Sequence, residues 1–180
     1  MVRHTSLYST PRRTRPNWIR RRARRGAIYF AELILVLPVM MIFLLAVVQF
    51  GILFGNLQHL SFASRVGAEA ASESALPAAA VPPSVEEAIE QHLAANGISA
   101  CLVRLEHTVD VPMGDPAIVL ESGACTCPAT TFIEPDGEYT RVSVCAHLTE
   151  LMPNLLATFG YDISDPASVI SASTLMQYEP

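Results

Sequence analysis

The stretch Arg24-Arg25-Gly26-Ala27-Ile28-Tyr29-Phe30-Ala31-Glu32-Leu33-Ile34-Leu35-Val36-Leu37-Pro38 decides how the rest of the chain is read. A dense cluster of positive charge stops at a glycine. Within a few residues the chain turns apolar and stays so to Phe54. From Leu33 to Val48 no side chain is charged or polar, Gln49 alone interrupts the run, and Glu32 is the one acid inside its leading edge. At about 1.5 Å per helical residue, Leu33 to Phe54 reaches roughly 33 Å, enough to cross a hydrocarbon core of about 30 Å. The reading is a transmembrane helix over 27–54. Pro38 removes one helix hydrogen bond and bends the span, which membrane helices tolerate better than soluble ones.

Charge is divided sharply about this segment. The chain has 180 residues and a formal net charge of −5, with 12 basic and 17 acidic side chains. All basic residues except Arg65, Arg104 and Arg141 lie at or before Arg25, and every acidic residue except Glu32 follows Gly55. Basic residues beside a span are retained in the cytoplasm. Residues 1–25 are therefore expected as a cytoplasmic leader without a core of its own, and the acidic remainder as the exported part. The arginine cluster lacks interleaved aromatics and adjoins a span, which points away from nucleic acid. The apolar core is longer than that of a cleaved secretory signal, and the first small-x-small site, Ala68-Glu69-Ala70, lies well beyond Phe54.

Past the span, Leu57, Leu60, Ser64, Gly67 and Ala71 continue at helical spacing, with Gln58, Arg65, Glu69 and Glu73 off that stripe. This predicts a juxtamembrane continuation of the helix over 55–76. Its small residues suit close helix-to-helix contact better than a bulky core, and a plain Ala-rich helix is the simpler alternative. The run Pro77-Ala78-Ala79-Ala80-Val81-Pro82-Pro83 reads as a linker over 77–83. Ser84-Val85-Glu86-Glu87 then has the form of a capping box, and Asn96-Gly97 closes the helix it opens. His92 on that helix is expected as a packing residue.

Strand signals follow. Cys101, Val103, Leu105, His107 and Val109 alternate with polar residues, 117–121 forms a weaker candidate, and Tyr139 to Leu148 alternates again after Pro135-Asp136-Gly137. A short helix is expected over Asn154–Phe159, ending at Gly160, and a last strand over about Ser168–Tyr178. Residues 84–180 are thus an exported α+β domain with a small antiparallel sheet.

All four cysteines, Cys101, Cys125, Cys127 and Cys145, lie on the predicted exported side. An even number in an oxidising compartment favours disulfides. Four cysteines allow three connectivities, of which closure of Cys125 on Cys127 is the strained one. The preferred patterns pair Cys101 and Cys145 each with the Cys125/Cys127 loop. Cys125-Thr126-Cys127 with Cys145-Ala146-His147 could instead present four zinc ligands, but both spacings are shorter than the usual C-x-x-C. No metal and no cofactor is assigned. There is no phosphate loop and no nucleophile elbow. Asp110/Asp115 and Glu134/Asp136/Glu138 read as solvated turns rather than an acid/base pair, so the sequence points away from an enzyme.

The block Arg24-Arg25-Gly26-Ala27, then Glu32-Leu33-Ile34-Leu35-Val36-Leu37-Pro38, then a span ending Gln49-Phe50-Gly51, resembles the TadE-like proteins. These are minor pilins or pseudopilins of the tight-adherence (Flp type IVb) pilus system. Ala63-Ser64-Arg65-Val66-Gly67-Ala68-Glu69-Ala70-Ala71 resembles the family's Ala-rich run after the span, and Ser173-Thr174-Leu175-Met176-Gln177-Tyr178-Glu179 its closing strand. The resemblance implies a pseudopilin-like structural subunit of the inner membrane. Its partners would be other pilin or pseudopilin subunits, a prepilin peptidase and the membrane assembly platform.

Pilin-like precursors are cut after a glycine, with an acid fifth in the mature chain. Here a cut after Gly26 makes Glu32 sixth, and a cut after Ala27 makes it fifth. The resemblance also gives Glu32 a registry role, pairing with the terminal amine of a neighbouring subunit. An acid within a span is costly to desolvate, and such a pair would offset that cost. Alternatively Glu32 reaches out to the cytoplasmic interface. The competing reading of the whole chain is a single-pass anchor that presents a disulfide-stabilised periplasmic binding module unrelated to pili.

Overall fold

The computed structural model describes residues 17–112, 115–128, 137–162, 165 and 167–178, with side chains from Tyr29 onward. The expected leader before Asn17, the Met113-Gly114 turn, and Glu134 and Asp136 lie outside the described residues.

Helix α1 spans Asn17–Ser72 and contains Pro38. Two compact units are distinguished, one ending at Ile42 and the other beginning at Phe43, inside the same helix. In the first unit, the side chains from Tyr29 to Met41 are all exposed. In the second, helix α2 (Pro83–Ala94) is followed by strands β1 (Leu102–His107), β2 (Ile118–Gly123) and β3 (Tyr139–His147). A one-turn helix α3 (Leu148–Leu151), a 3₁₀ helix (Leu155–Phe159) and strand β4 (Val169–Gln177) complete it. The strands form one antiparallel sheet in the order β2-β1-β3-β4. The architecture is α+β, as the sequence indicates.

The register places Val103 opposite Val144, Leu105 opposite Val142 and His107 opposite Thr140. Side chains two apart on a strand share a face, so these residues form one surface of the sheet. Val103, Leu105, Val142 and Val144 are buried in a single cluster with Leu60, Ala63, Ala68 and Ala71 of α1 and Val85, Ile89 and Leu93 of α2. The small-residue stripe on α1 is therefore the core seam of this domain. Its close helix contact is made to α2 of the same chain. A Cβ on Gly67 would lie 2.6 Å from Ile89 Cδ1 and 3.1 Å from Val142 Cγ1, so only glycine fits unaltered at that crossing. Ser64 Oγ and Thr174 Oγ1, 2.8 Å apart, tie the same seam to β4.

The opposite surface of the sheet carries charge. Arg104 pairs with Glu121 at 2.7 Å and Arg141 with Glu106 at 2.8 Å, both between residues on neighbouring strands. The Arg141–Glu106 pair is the more enclosed, with Arg141 itself buried.

Helix α2 begins two residues before the capping box predicts, with Ser84 inside the helix rather than at its N-cap. Pro82 is its N-cap and Pro83 its first residue, with no side-chain cap bond. Proline at that position has no N–H to satisfy and a φ already set for the helix, so the serine cap is not needed. The far end follows expectation: Gly97 has φ +69°, Ile98 N donates to Leu93 O at 3.1 Å, and Asn96 Nδ2 donates to His92 O at 2.9 Å. His92 packs its ring against Phe62, with centroids 4.8 Å apart, and against His59 at 5.9 Å. The helix expected over Asn154–Phe159 is a 3₁₀ helix closed by Gly160 at φ +82°.

Candidate functional site

Two features concentrate the chemistry of this chain: the long helix, and the cysteine cluster at one end of the sheet. Helix α1 begins before the basic cluster ends, so Gly26 and Ala27 lie within its backbone span. Their side-chain surroundings lie outside the described residues. Glu32 is exposed on α1, amid exposed Tyr29, Phe30, Leu33 and Ile34. A helix apolar on all sides requires an apolar environment all round, from protein or from lipid. Among the described residues, α1 is the one helix long and apolar enough to cross a membrane.

Gln49 marks the point where this changes. It is fully buried, and its Oε1 accepts a hydrogen bond from Leu156 N of the 3₁₀ helix at 3.3 Å. One turn on, Leu53 packs against the core cluster. Asn56 Nδ2 then donates to Leu151 O at 2.7 Å. Gln49, Leu53, Asn56, Leu60, Ser64, Gly67 and Ala71 thus form one continuous seam at spacings of three and four. Sequence reasoning begins this stripe at Leu57. The available clue was Gln49 itself, the one polar residue of the apolar run, standing in register with Leu53 and Leu60.

The cysteines are paired Cys101–Cys125 and Cys127–Cys145, with Cα separations of 5.6 and 5.9 Å. Cys145 of β3 and Cys101, one residue before β1, are each joined to the loop after β2, one of the patterns left open by the sequence. Gly123 makes the approach possible. At φ +133° it turns the chain so that Ala124 N reaches Cys101 O at 3.0 Å, and any Cβ there would strike Cys101 O and lie 2.6 Å from Leu102 Cα. Leu102, Cys127 and Cys145 form a small buried cluster beside this cross-link, separate from the main core.

The zinc set considered above is not assembled as such. His147 lies with Cys101 and Cys125, their ligand atoms within 4.8 Å of one another, but all four sulfurs are engaged in disulfides. A disulfide sulfur is not the thiolate that binds zinc. Asp110 lies exposed at φ +58° in the turn after β1, in keeping with a solvated turn. Among the described residues, His107 is the one titratable group whose pKa departs clearly from its ordinary value, lowered from 6.5 because burial disfavours the imidazolium. Neither of its ring nitrogens has a hydrogen-bond partner among the described residues. It lies on the same face of the sheet as Val103 and Leu105, and its partners in the register are Thr140 and Ile118.

Residues 29–69 match the family model of TadE-like proteins. The TadE-like match lies entirely within α1. It takes in the exposed apolar residues from Tyr29 to Met41 and ends two residues past the crossing at Gly67. It therefore covers both uses of the helix, the bare apolar length and the seam that holds the sheet. Comparison with curated proteins and with solved structures finds no match for the chain. The TadE-like segment, the helix able to cross a membrane and the two disulfides together fit a membrane-anchored, pilus-associated protein.

Proposed function

We propose that this chain is a pseudopilin-like structural subunit that packs into, or primes, a tight-adherence (Flp-type) pilus. The observation that carries the reading is the position of the TadE-like match, on one helix that is bare and apolar at one end and the spine of a folded domain at the other. Such a helix couples anchoring to assembly, because any force on the domain is borne by the same rod that sits among its neighbours.

On this reading the helix spans the inner membrane once. The arginine-rich leader stays in the cytoplasm, as the charge division favours, and the disulfide-bonded domain lies outside, where thiols are oxidised. A prepilin peptidase removes the leader after Gly26 or Ala27. Glu32 then meets the new terminal amine of a neighbouring subunit and sets the axial register. The remaining partners are other pilin-like subunits and the assembly platform.

The test is co-purification from membranes together with N-terminal sequencing of the recovered chain. A subunit of this kind co-purifies with filament or platform components and starts just after Gly26 or Ala27. A chain that keeps its leader and is extracted alone is a plain anchor for a periplasmic module. Glu32→Gln is expected to leave insertion intact and to abolish incorporation, and normal incorporation would remove Glu32 from the assembly step.

A further inference from the structure

Resting on the reading of α1 as a span, we infer that the 3₁₀ helix Leu155–Phe159 and the two residues after it are seated in the outer interface of the bilayer, with Phe159 and Tyr161 as lipid anchors. The argument starts from where this segment is fixed. Leu156 is buried and its N–H is bonded to Gln49 Oε1, so the 3₁₀ helix lies at the level of Gln49 along α1.

That level is still inside the apolar run. Phe50, Ile52 and Phe54, further along the helix, are all exposed on the sides of α1 that the domain leaves uncovered. From Gln49 to Phe54 the helix rises about 7 Å. An amphipathic element lying at a membrane surface sits about 5–10 Å into the boundary between headgroups and acyl chains, and the two depths agree. The chain reaches this level by descending along α1: Leu151 O is held by Asn56, just past the span, and Leu156 N is held by Gln49, seven residues back and inside it.

The segment carries the side chains such a seat requires. Phe159 is 44% exposed and Tyr161 60% exposed, both without an apolar cover in the domain. Tyrosine, with an apolar body and a polar tip, is enriched at the membrane–water interface, and phenylalanine is among the residues that interfacial elements bury on their apolar face. The 3₁₀ helix also covers the side-chain carbonyl of Gln49, which would otherwise meet lipid without a donor. The nearest acid, Asp162, is held by Asn154 Nδ2 at 2.6 Å. Lipid is therefore the occupant that fits, and the contact fixes how close the domain stands to the membrane before assembly.

The test uses the full, oxidised chain in phosphatidylcholine vesicles, with Trp18→Phe removing the native indole. Phe159→Trp places a fluorophore on the segment, Val47→Trp one in the span, and Ala75→Trp one at the far end of the domain. With lipids brominated near the glycerol end of the acyl chain, Phe159→Trp is expected to give blue-shifted emission and to lose intensity to the bromines, while Ala75→Trp keeps water-like, unquenched emission. Water-like, unquenched emission from Phe159→Trp while Val47→Trp is quenched overturns the inference and leaves the span standing. Blue-shifted but unquenched emission assigns the segment to a second copy and also overturns it. Absence of quenching at both Val47→Trp and Phe159→Trp overturns the membrane reading itself, and this inference with it.

Discussion

Gly67 is where the placement of α1 in its own domain can be tested quantitatively. Replacing glycine by alanine inside a helix ordinarily gains about 1 kcal/mol, because alanine loses less backbone freedom on folding. At this crossing the added methyl would stand 2.6 Å from Ile89 Cδ1, 2.8 Å from Ile89 Cγ1 and 3.1 Å from Val142 Cγ1. Both neighbours are fully buried and have no open side to move into. Overpacking of this kind costs about 1–3 kcal/mol. Gly67→Ala is therefore expected to lower stability by about 1 kcal/mol, reversing the usual sign. Ile89→Val removes the nearest clashing atom and on its own costs about 0.5–1.5 kcal/mol. In the double variant the new methyl moves into the vacated space, so the two changes should couple by about 1 kcal/mol or more. Hydrogen exchange of the β3 amides, measured on the oxidised full chain in detergent, reports the required free energies. Additivity of the two changes within about 0.5 kcal/mol, or a Gly67→Ala chain more stable than the parent, would show that this face of α1 is open and would refute the packing described.

Further outcomes follow from the sheet. His107 is buried and its pKa is lowered in the fold, so the unfolded chain binds a proton that the folded chain resists. Stability should then be fully present above pH 6.5 and fall as the pH drops through the lowered folded value, by up to about 1.4 kcal/mol per pH unit from this group. The same exchange measurement on His107→Leu should show a correspondingly shallower acid dependence, and an unchanged slope would contradict the assignment. Cys127 and Cys145 close a loop of sequence separation 18. Replacing both by serine should cost about 3 kcal/mol through the freed unfolded chain. Non-reducing mass mapping of the parent chain should recover Cys101–Cys125 and Cys127–Cys145 as the linked pairs, and any other pairing would contradict the connectivity.

The apolar run, the arginine boundary and the antiparallel strands were legible in the sequence because each is a local pattern: length, charge sign, alternation. What escaped was set by partners distant in sequence. Period two in Tyr139–His147 predicts one covered face, but every residue from Tyr139 to Ala146 is buried in β3, which pairs with β1 on one side and β4 on the other. Alternation alone does not distinguish that position from an outer strand. The strand alternation runs on to Leu148, where the one-turn helix α3 begins, because four residues hold no helical period.

The small-residue stripe was recognised as a close-contact surface, but its partner was not. Gly67 meets Ile89 of α2 across a linker of prolines and alanines, and nothing local distinguishes that contact from one with another subunit. Gln49 was noticed as an interruption and not as a contact. Its partner Leu156 stands more than a hundred residues away.

The charge division, the apolar helix and the disulfides all bear on one claim, that the chain crosses a membrane once with its folded domain outside. Paired reporter fusions after Tyr178 in the full chain test it most directly, using a phosphatase active only when exported and a second reporter active only in the cytoplasm. The account predicts phosphatase activity in the membrane fraction and a silent cytoplasmic reporter. Activity of the cytoplasmic reporter with a silent phosphatase would contradict it.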